Sequence, residues 1–269
     1  MRYIAVISCT YLGDSPIFLD EMLSSVFKAK LPNEVELNFY LHVDGILTEE
    51  HEEIISKYNI YKRIDSSYSI GLAHGLNKLI SILENEDYIF RMDADDICSE
   101  DRFVKQISFM DTHSTVDISG GSIEEFVGDT LNIVTKRVYP SSRLEDYLLK
   151  GSPLAHVTVC FRKGFFEQFG FYPTEFPLNE DIAYWFRSFS QGAFGTNISD
   201  VLVRVRMDGS YKRRSFKKSI SEFKVYLLIS RWKRKFPFFP TARFLFRLLP
   251  PPIIEKIYNS KLRTTFLND

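Results

Sequence analysis

The chain has 269 residues, enough for one large α/β domain or two small ones. Its apolar content of 45% and charged content of 26% are ordinary for a globular protein. Three scattered cysteines without paired spacing argue against a disulfide framework or a zinc site and favour a reducing compartment. No uncharged apolar run reaches the roughly eighteen residues that a membrane-spanning helix needs, so none is expected.

The net charge of −1 conceals a strong asymmetry along the chain. Residues 204–269 carry 17 of the 34 Lys and Arg residues but only 4 of the 35 Asp and Glu residues. A basic segment joined to an acidic body predicts an anionic partner, either a nucleic acid or a membrane surface.

The first 110 residues alternate between strand patterns and helix patterns. In chain order, the predicted elements are strand Tyr3–Ser8, helix Pro16–Lys28, strand Leu37–Val43, helix Glu49–Lys57, strand Ile60–Ile64, helix Leu72–Leu83, strand Asp87–Met92 and helix Arg102–Met110. Such alternation with short connections implies a parallel sheet with helices on both faces. Ligands of such sheets bind beyond the carboxyl ends of the strands. Thr10, Tyr11, Asp44 and the acidic residues after Met92 fall at those ends, which predicts one shared site.

The segment Arg91-Met-Asp-Ala-Asp-Asp is the most informative of the chain. In extended backbone, residues two apart point the same way, so Asp93 and Asp95 are expected on one side and Asp96 on the other. Two carboxylates held this close repel unless a cation lies between them, and oxygen ligands suit Mg²⁺ or Mn²⁺. The alternative is an acidic helix start with Ser99 as its N-cap, but this leaves the first two aspartates unexplained.

After Met110 the pattern changes to short strands mixed with short helices. A helix is predicted to start at Asn179-Glu180-Asp181, with Trp185 on its apolar side. The strand candidates of this part are Val116–Ser119, Ile123–Phe126, Ile133–Val138, Val157–Phe161 and Val201–Val205.

The basic end of the chain has the pattern of amphipathic helices. From Ser215 on, an apolar stripe repeats at helical spacing, and a second apolar segment covers Ala242–Leu249. Basic residues interleaved with Trp, Phe and Leu are typical of a segment that lies on anionic lipid. An ordinary helical pair packed on the body is the alternative, and the aliphatic stripe disfavours nucleic-acid binding. The residues predicted to form the stripe are Phe216, Ile220, Phe223 and Leu227.

Six segments between Tyr3 and about Arg206 match one known pattern. They are Val6-Ile-Ser-Cys-Thr-Tyr, Val43-Asp-Gly, Gly71-Leu-Ala-His-Gly-Leu-Asn, Arg91-Met-Asp-Ala-Asp-Asp with Arg102 and Gln106, His156-Val-Thr-Val with Phe161-Arg-Lys, and Glu180-Asp181 before Trp185. In this order and at these intervals, the chain resembles glycosyltransferase family 2, the nucleotide-sugar-dependent enzymes of the GT-A fold. The resemblance is closest to bacterial O-antigen, capsule and exopolysaccharide transferases such as the amylovoran type.

The resemblance implies an architecture and a set of functional residues. It implies a Rossmann-like, mostly parallel sheet with helices on both faces: residues 1–110 would bind the nucleotide-sugar, 111–206 the acceptor, and 207–269 would form basic amphipathic helices. Asp44 would hydrogen-bond the base, and Asp93 and Asp95 would hold Mn²⁺ or Mg²⁺, with Asp95 as the direct ligand. The nucleotide-sugar would be bound by Thr10, Tyr11, Asp44, Gly71, Asn77, Arg91 and Asp93. The acceptor side would include His156, Glu180 and Trp185.

Asp181 matches the family's catalytic base, and a helix-capping carboxylate is the alternative. The dipole of the predicted helix should lower its pKa, whereas burial beside Trp185 and the charge of Glu180 should raise it. The sequence leaves this balance open. It also lacks the histidine that family members often carry after the last strand. A third metal ligand could be Asp208, or Arg206, Lys212 and Arg213 could neutralise the phosphates instead.

The implied activity is that of a metal-dependent, inverting glycosyltransferase. It would move a hexose from a UDP-sugar to a lipid-linked glycan in bacterial surface-polysaccharide synthesis, at the cytoplasmic face of the membrane. The alternatives are a sugar-nucleotide pyrophosphorylase and a non-catalytic nucleotide-sugar-binding module on the membrane. The loop from Thr10 to Pro16 has no basic residue, which counts against the pyrophosphorylase.

Overall fold

A computed structural model describes residues 1–208 and 216–247 of the chain. The first half contains β1 (Arg2–Thr10), α1 (Pro16–Lys28), β2 (Val35–Asp44), α2 (Glu49–Ser56), β3 (Lys62–Ser66), α3 (Leu72–Ile80), β4 (Tyr88–Arg91), β5 (Ile97–Cys98) and α4 (Arg102–Thr112). The second half contains β6 (Ile118–Phe126), β7 (Ile133–Arg137), α5 (Leu144–Tyr147), a 3₁₀ turn (His156–Thr158), β8 (Cys160–Arg162), α6 (Phe165–Phe169), α7 (Glu180–Ser190), β9 (Gly195–Arg206), α8 (Phe216–Trp232) and α9 (Phe238–Arg247).

One sheet runs through both halves, in the order β3-β2-β1-β4-β8-β6-β9-β5, with β7 paired to β6. The strands β1 to β4 are parallel, as predicted. Because β8 is antiparallel to both β4 and β6, β6 and β9 run in the same direction as β4. The carboxyl ends of these strands therefore lie at the same edge of the sheet.

Helices cover both faces of the sheet, and β1 shows why. Its side chains alternate between two cores, with Ile4 and Val6 packed on the side of α1, α2 and α4, and Ala5 and Ile7 on the side of α3, α6, α7 and α8. All four residues are at most 1% exposed. A strand buried on both faces reads as a continuous apolar run, which is what the sequence has here.

Two predicted strands are in fact one. Val116–Ser119 and Ile123–Phe126 were expected as separate strands, but Gly120 and Gly121, which lie between them, are inside β6. A Cβ on Gly120 would lie 2.4 Å from Asn197 Oδ1, and one on Gly121 would lie 2.4 Å from Leu202 Cδ1. The glycines therefore admit the β9 side chains that pack over the strand.

The alternative interpretation, in which Ser99 is the N-cap of a helix, is wrong. The helix α4 begins at Arg102, after Asp101, whose side chain makes no capping hydrogen bond. The strand β5, directly before Ser99, pairs with β9. Ser99 therefore continues this pairing, and its N–H donates to the Leu202 carbonyl at 3.0 Å.

The basic C-terminal segment forms α8 and α9, but α8 does not bury the predicted stripe. Val225, Tyr226 and Ile229 are its buried apolar residues, whereas Phe216 is 65% exposed and Leu227 37% exposed. The helix carries apolar residues on two faces, and only the tertiary contacts select the one that packs on the body. No helix of the described ranges is long and apolar enough to cross a bilayer. The end of the predicted second segment lies outside the described residues.

Candidate active site

The predicted shared site is present at the carboxyl edge of the sheet. Asp14, in the loop after β1, accepts hydrogen bonds from Thr10 Oγ1 at 3.0 Å and from the Tyr11 N–H at 3.2 Å. Burial raises the pKa of Asp14 to about 6, and the charges of Asp95 and Asp93 act in the same direction. The loop after β1 therefore faces the acidic segment after β4. We did not single out Asp14 from the sequence, although a carboxylate just beyond the first parallel strand was an available signal.

Asp93, Asp95 and Asp96 form a cluster, which we call the acidic turn (residues 93–96). One oxygen of each carboxylate lies within 4.8 Å of the others. The expectation that Asp96 points to the opposite side is wrong, because the chain leaves the extended conformation after β4 and turns. Asp96 is 2% exposed, and its pKa is raised by burial and then by the charges of Asp93 and Asp95.

The acidic turn has the donor set of a divalent cation site. All three carboxylates supply oxygen, the ligand type that Mg²⁺ and Mn²⁺ prefer. A cation would also relieve the mutual repulsion of three closely spaced negative charges. The third acidic residue of the cluster is Asp96 rather than Asp208, which the sequence had offered as a third metal ligand. Asp208 is exposed and accepts a hydrogen bond from the Gly128 N–H at 3.1 Å.

Arg91, the last residue of β4, holds the acidic turn through Asp93. Its side chain is 2% exposed, and both terminal nitrogens donate to Asp93, with Nη1 at 2.6 Å from Oδ2 and Nη2 in contact with Oδ1. The predicted contact of Arg91 with the ribose and diphosphate stays a prediction. What the structure gives is an arginine that fixes the first aspartate of the motif.

Arg206, at the end of β9, holds the other side of the turn. It is 5% exposed, its backbone N–H donates to Asp96 Oδ1 at 2.9 Å, and its Nε donates to the Asp95 carbonyl at 3.1 Å. The rest of its guanidinium contacts the Gly128 carbonyl, the Glu21 carboxylate and the faces of the Phe18 and Phe126 rings. This buried position argues against the phosphate-neutralising role considered for Arg206. Lys212 and Arg213 lie outside the described residues.

Asp44 anchors the segment that leads into α3. Its carboxylate accepts hydrogen bonds from Ser69 Oγ at 2.8 Å, from the Ile70 N–H at 2.6 Å and from the Gly71 N–H at 3.0 Å. Gly71 has a φ of +89°, a conformation that favours glycine. The structure thus ties Asp44 and Gly71 together, while their contacts with a nucleotide stay predictions.

The residues predicted for the acceptor side are connected to α3 through Tyr172. Asn77 exchanges two hydrogen bonds with the backbone of Tyr172, at 2.9 Å and 2.8 Å, and the Tyr172 hydroxyl lies 2.9 Å from His156 Nε2. The His156 ring lies edge-on to that of Trp185, which is fully buried. Burial, and then the charge of Arg91, hold the pKa of His156 well below its usual value. His156 is therefore a neutral side chain close to Arg91.

Asp181 lies in the first turn of α7 and is half-buried. Burial raises its pKa, while a backbone hydrogen bond from Ile182 and the charges of Lys218 and Arg91 oppose that rise. The balance that the sequence left open is thus resolved in favour of burial. The pKa of Glu180 is raised by burial and by the charge of Asp181. The charge of Arg91 acts on both carboxylates, and Trp185 of the same helix contacts His156. The start of α7 therefore lies near Arg91.

The site therefore combines a cluster of oxygen ligands with a separate carboxylate of raised pKa. Residues 6–170 match the family model described as glycosyl transferase family 2. The chain belongs to this family and is a glycosyltransferase.

The family assignment is supported by relatives similar over nearly the whole chain. An uncharacterized glycosyltransferase of Haemophilus influenzae is 31% identical, with 96% of this chain and 98% of the relative covered. The UDP-Gal:alpha-D-GlcNAc-diphosphoundecaprenol beta-1,3-galactosyltransferase of Escherichia coli is 30% identical, with 96% of each covered. The amylovoran biosynthesis glycosyltransferase AmsE of Erwinia amylovora is 27% identical, with 94% and 97% covered.

Solved structures show that the fold is the GT-A fold. Residues 1–349 of S. aureus TarS in complex with UDP-GlcNAc superpose with a TM-score of 0.62, covering 92% of this chain and 72% of that one, at 17% identity. The mannosyltransferase PcManGT of Pyrobaculum calidifontis, in complex with GDP-Man and Mn²⁺, gives a TM-score of 0.59, with 90% and 68% covered, at 14% identity. At these identities the likeness concerns the fold alone.

Proposed function

We propose that this glycosyltransferase moves a hexose from a UDP-sugar to a lipid-linked glycan, with inversion and with the help of a divalent cation, in the synthesis of a bacterial surface polysaccharide. One observation carries the proposal: Arg91 holds Asp93 of the acidic turn, and its charge also acts on Asp181, a carboxylate of raised pKa. Residues 1–110 would supply the donor half of that site and residues 111–206 the acceptor half.

The acidic turn fits the demands of the leaving group. Departure of a nucleoside diphosphate places negative charge on its phosphate oxygens, and a bound Mn²⁺ or Mg²⁺ neutralises such charge. Asp95 and Asp96 would hold the cation together with Asp93. Arg91 holds the carboxylate of Asp93, and Arg206 holds the carboxylate of Asp96 and the backbone carbonyl of Asp95, so little reorganisation of the turn is needed when the cation and the diphosphate bind.

Asp181 would take the proton of the acceptor hydroxyl as that oxygen attacks the anomeric carbon. A base works best when its pKa approaches the working pH, and burial moves the pKa of Asp181 in that direction. One base opposite the leaving group gives direct displacement, which inverts the anomeric carbon. His156 and Trp185, beside Arg91, would border the space that the sugar occupies.

A lipid-linked acceptor accords with the surface of the C-terminal helices. Their exposed apolar side chains include Leu227 and Leu228 of α8, Phe236 in the connecting segment and Phe238 and Leu245 of α9. Basic residues are interleaved with them, as in segments that lie on anionic membranes. The Escherichia coli relative is named for a diphosphoundecaprenol-linked acceptor. We therefore propose a peripheral position at the cytoplasmic face of the membrane.

The catalytic proposal is tested by slow hydrolysis of UDP-sugars in the absence of acceptor. Purified enzyme is incubated with UDP-Glc, UDP-Gal, UDP-GlcNAc or UDP-GalNAc, with Mn²⁺ or with EDTA, and released UDP is measured. We expect release of UDP from at least one donor, only with the cation. Equal release in EDTA would contradict the metal requirement, and release from none of the four would contradict a UDP-sugar donor.

The membrane proposal is tested by reversing the charges of Arg231, Arg234 and Lys235, all exposed. Lys233 is left unchanged because its Nζ is bonded to Asp146 at 2.8 Å and helps to fix α8 to the body. Sedimentation with vesicles that contain anionic lipid should fall for this variant. Reversing the exposed Lys28, Lys57 and Lys163 serves as the matched control with the same change of net charge, and undiminished sedimentation of the C-terminal variant would refute the proposal.

A further inference from the structure

A groove along the outer face of α3 shares only Asn77 with the residues predicted to bind the nucleotide-sugar. We call it the α3 groove; it has a volume of about 660 Å³. Its lining consists of Tyr68, Ile70, His74, Asn77, Lys78, Ser81 and Phe171. His74, Asn77, Lys78 and Ser81 follow helical spacing, so the floor is one polar face of α3 and the walls come from two loops.

Each wall of the α3 groove carries an aromatic ring whose apolar surface is exposed to water, which is energetically unfavourable. Tyr68 is 71% exposed and Phe171 is 42% exposed. The floor offers polar groups that can bind further partners. Lys78 Nζ donates to Ser66 Oγ at 2.9 Å, and an ammonium group has two further N–H donors. Aromatic rings above hydrogen-bonding side chains suit a saccharide, whose C–H faces pack on the rings while its hydroxyls bond to the polar groups.

Both walls are fixed by residues of the candidate active site. The loop that carries Tyr68 is held by the three hydrogen bonds from residues 69–71 to Asp44. Phe171 precedes Tyr172, whose backbone is bonded to Asn77 and whose hydroxyl is bonded to His156. The groove is therefore built in advance, and its Phe171 wall adjoins the acceptor side of the site.

We propose that the α3 groove binds sugar units of the acceptor glycan that lie away from the reacting hydroxyl. This inference rests on the proposed function, since it concerns the acceptor of the same reaction. Contacts at such a distance from the chemistry would increase affinity for a longer acceptor and would leave the binding of the donor nucleotide unchanged.

The test measures saccharide and nucleotide binding separately, without turnover. Saturation-transfer NMR is recorded with methyl β-glycosides of glucose, galactose and N-acetylglucosamine, with UDP and the diamagnetic cation Mg²⁺ present. UDP affinity is measured by calorimetry on the same samples. We expect at least one glycoside to bind to the wild-type protein, and Tyr68→Ala and Phe171→Ala each to weaken that binding about tenfold. UDP affinity should change by less than about twofold.

Phe194→Ala is the matched control, because Phe194 is 55% exposed but precedes β9 at the opposite edge of the sheet. It should leave saccharide binding unchanged. The inference is overturned if no glycoside binds or if glycoside binding survives in the Tyr68/Phe171 double variant. It is also overturned if the two variants weaken the binding of UDP and not that of the glycoside. Failure of the wild-type protein to bind UDP would count against the proposed function, and this result is read independently of the saccharide signal.

Discussion

Two acidic regions lie near Arg91, and they are built differently. The acidic turn holds three carboxylates with one oxygen each within 4.8 Å, braced by the buried Arg91 and Arg206. The start of α7 carries Glu180 and Asp181, whose pKa values are raised first of all by burial. Clustered carboxylates with arginine supports suit a cation, whereas a half-buried carboxylate of raised pKa suits a proton. The surroundings of a carboxylate, and not its residue type, therefore decide whether it binds a cation or a proton.

The largest expected effect tests the proton-binding region. Asp181→Asn keeps the size of the side chain but removes the base, so kcat should fall by about two to four orders of magnitude. Affinity for the UDP-sugar, measured by calorimetry, should stay near normal because the acidic turn is unchanged. An Asn variant that turns over at the wild-type rate would show that another residue is the base.

The next effect tests the cation-binding region. Asp95→Ala should weaken Mn²⁺-dependent binding of the UDP-sugar by more than about 100-fold, because a direct ligand is lost from a cluster of three carboxylates. Binding in EDTA serves as the baseline. Asp208→Ala is the control, since that carboxylate binds the Gly128 N–H and is expected to leave Mn²⁺-dependent affinity intact. If Asp95→Ala binds the UDP-sugar with unchanged Mn²⁺-dependent affinity, Asp95 is not a ligand of the cation.

A smaller effect tests the supports of the turn. Arg206→Lys keeps the charge but loses the planar group that bonds to the Asp95 carbonyl and packs on Phe18. We expect Mn²⁺ affinity, followed by EPR of the free ion, to fall about 10- to 100-fold. The free energy of unfolding in EDTA should fall by about 2 kcal/mol.

The control for the supports is Arg204→Lys on the same strand. The Arg204 side chain is 40% exposed and lies 3.4 Å from Glu124, so its replacement should cost less than about 0.5 kcal/mol and leave Mn²⁺ affinity unchanged. Equal losses for the two variants would mean that Arg206 contributes no more to the turn than a surface arginine does.

The smallest effect is a pH dependence. A base acts in its ionised form, so kcat should fall as the pH falls through the raised pKa of Asp181, above the ordinary aspartate value of 3.8. Asp14, with a pKa of about 6, also titrates close to the site, and the variant Asp14→Asn removes its contribution to the pH dependence. We expect the acid limb of kcat to persist in Asp14→Asn and to vanish in the residual activity of Asp181→Asn. If the acid limb of kcat disappears in Asp14→Asn, the limb reports the ionisation of Asp14 and not that of Asp181.

Much of the first half could be predicted from the sequence, because its signals are local. The strand Tyr3–Ser8 and the helix Pro16–Lys28 come from apolar periodicity and a proline at the helix start, and the structure confirms both with changes of at most two residues at their ends. The edge of the sheet that carries the site followed from strand–helix alternation alone.

The second half was predicted less well, since long-range packing decides it. The glycines of β6 read as a break but admit side chains of β9, and α8 buries a face that its strongest periodicity did not indicate. In both cases the packing partner is distant in the chain: Gly120 faces Asn197, and Trp232 of α8 contacts Phe186 of α7.

The sequence by itself determined the class of fold and the acidic motif, because both depend on neighbours within a few residues. Only the tertiary structure decided that Asp96 joins Asp93 and Asp95, that Asp14 faces them, and that burial outweighs the helix end at Asp181. The physical reason is that desolvation and charge repulsion act through space, so they depend on which distant segments the fold brings together.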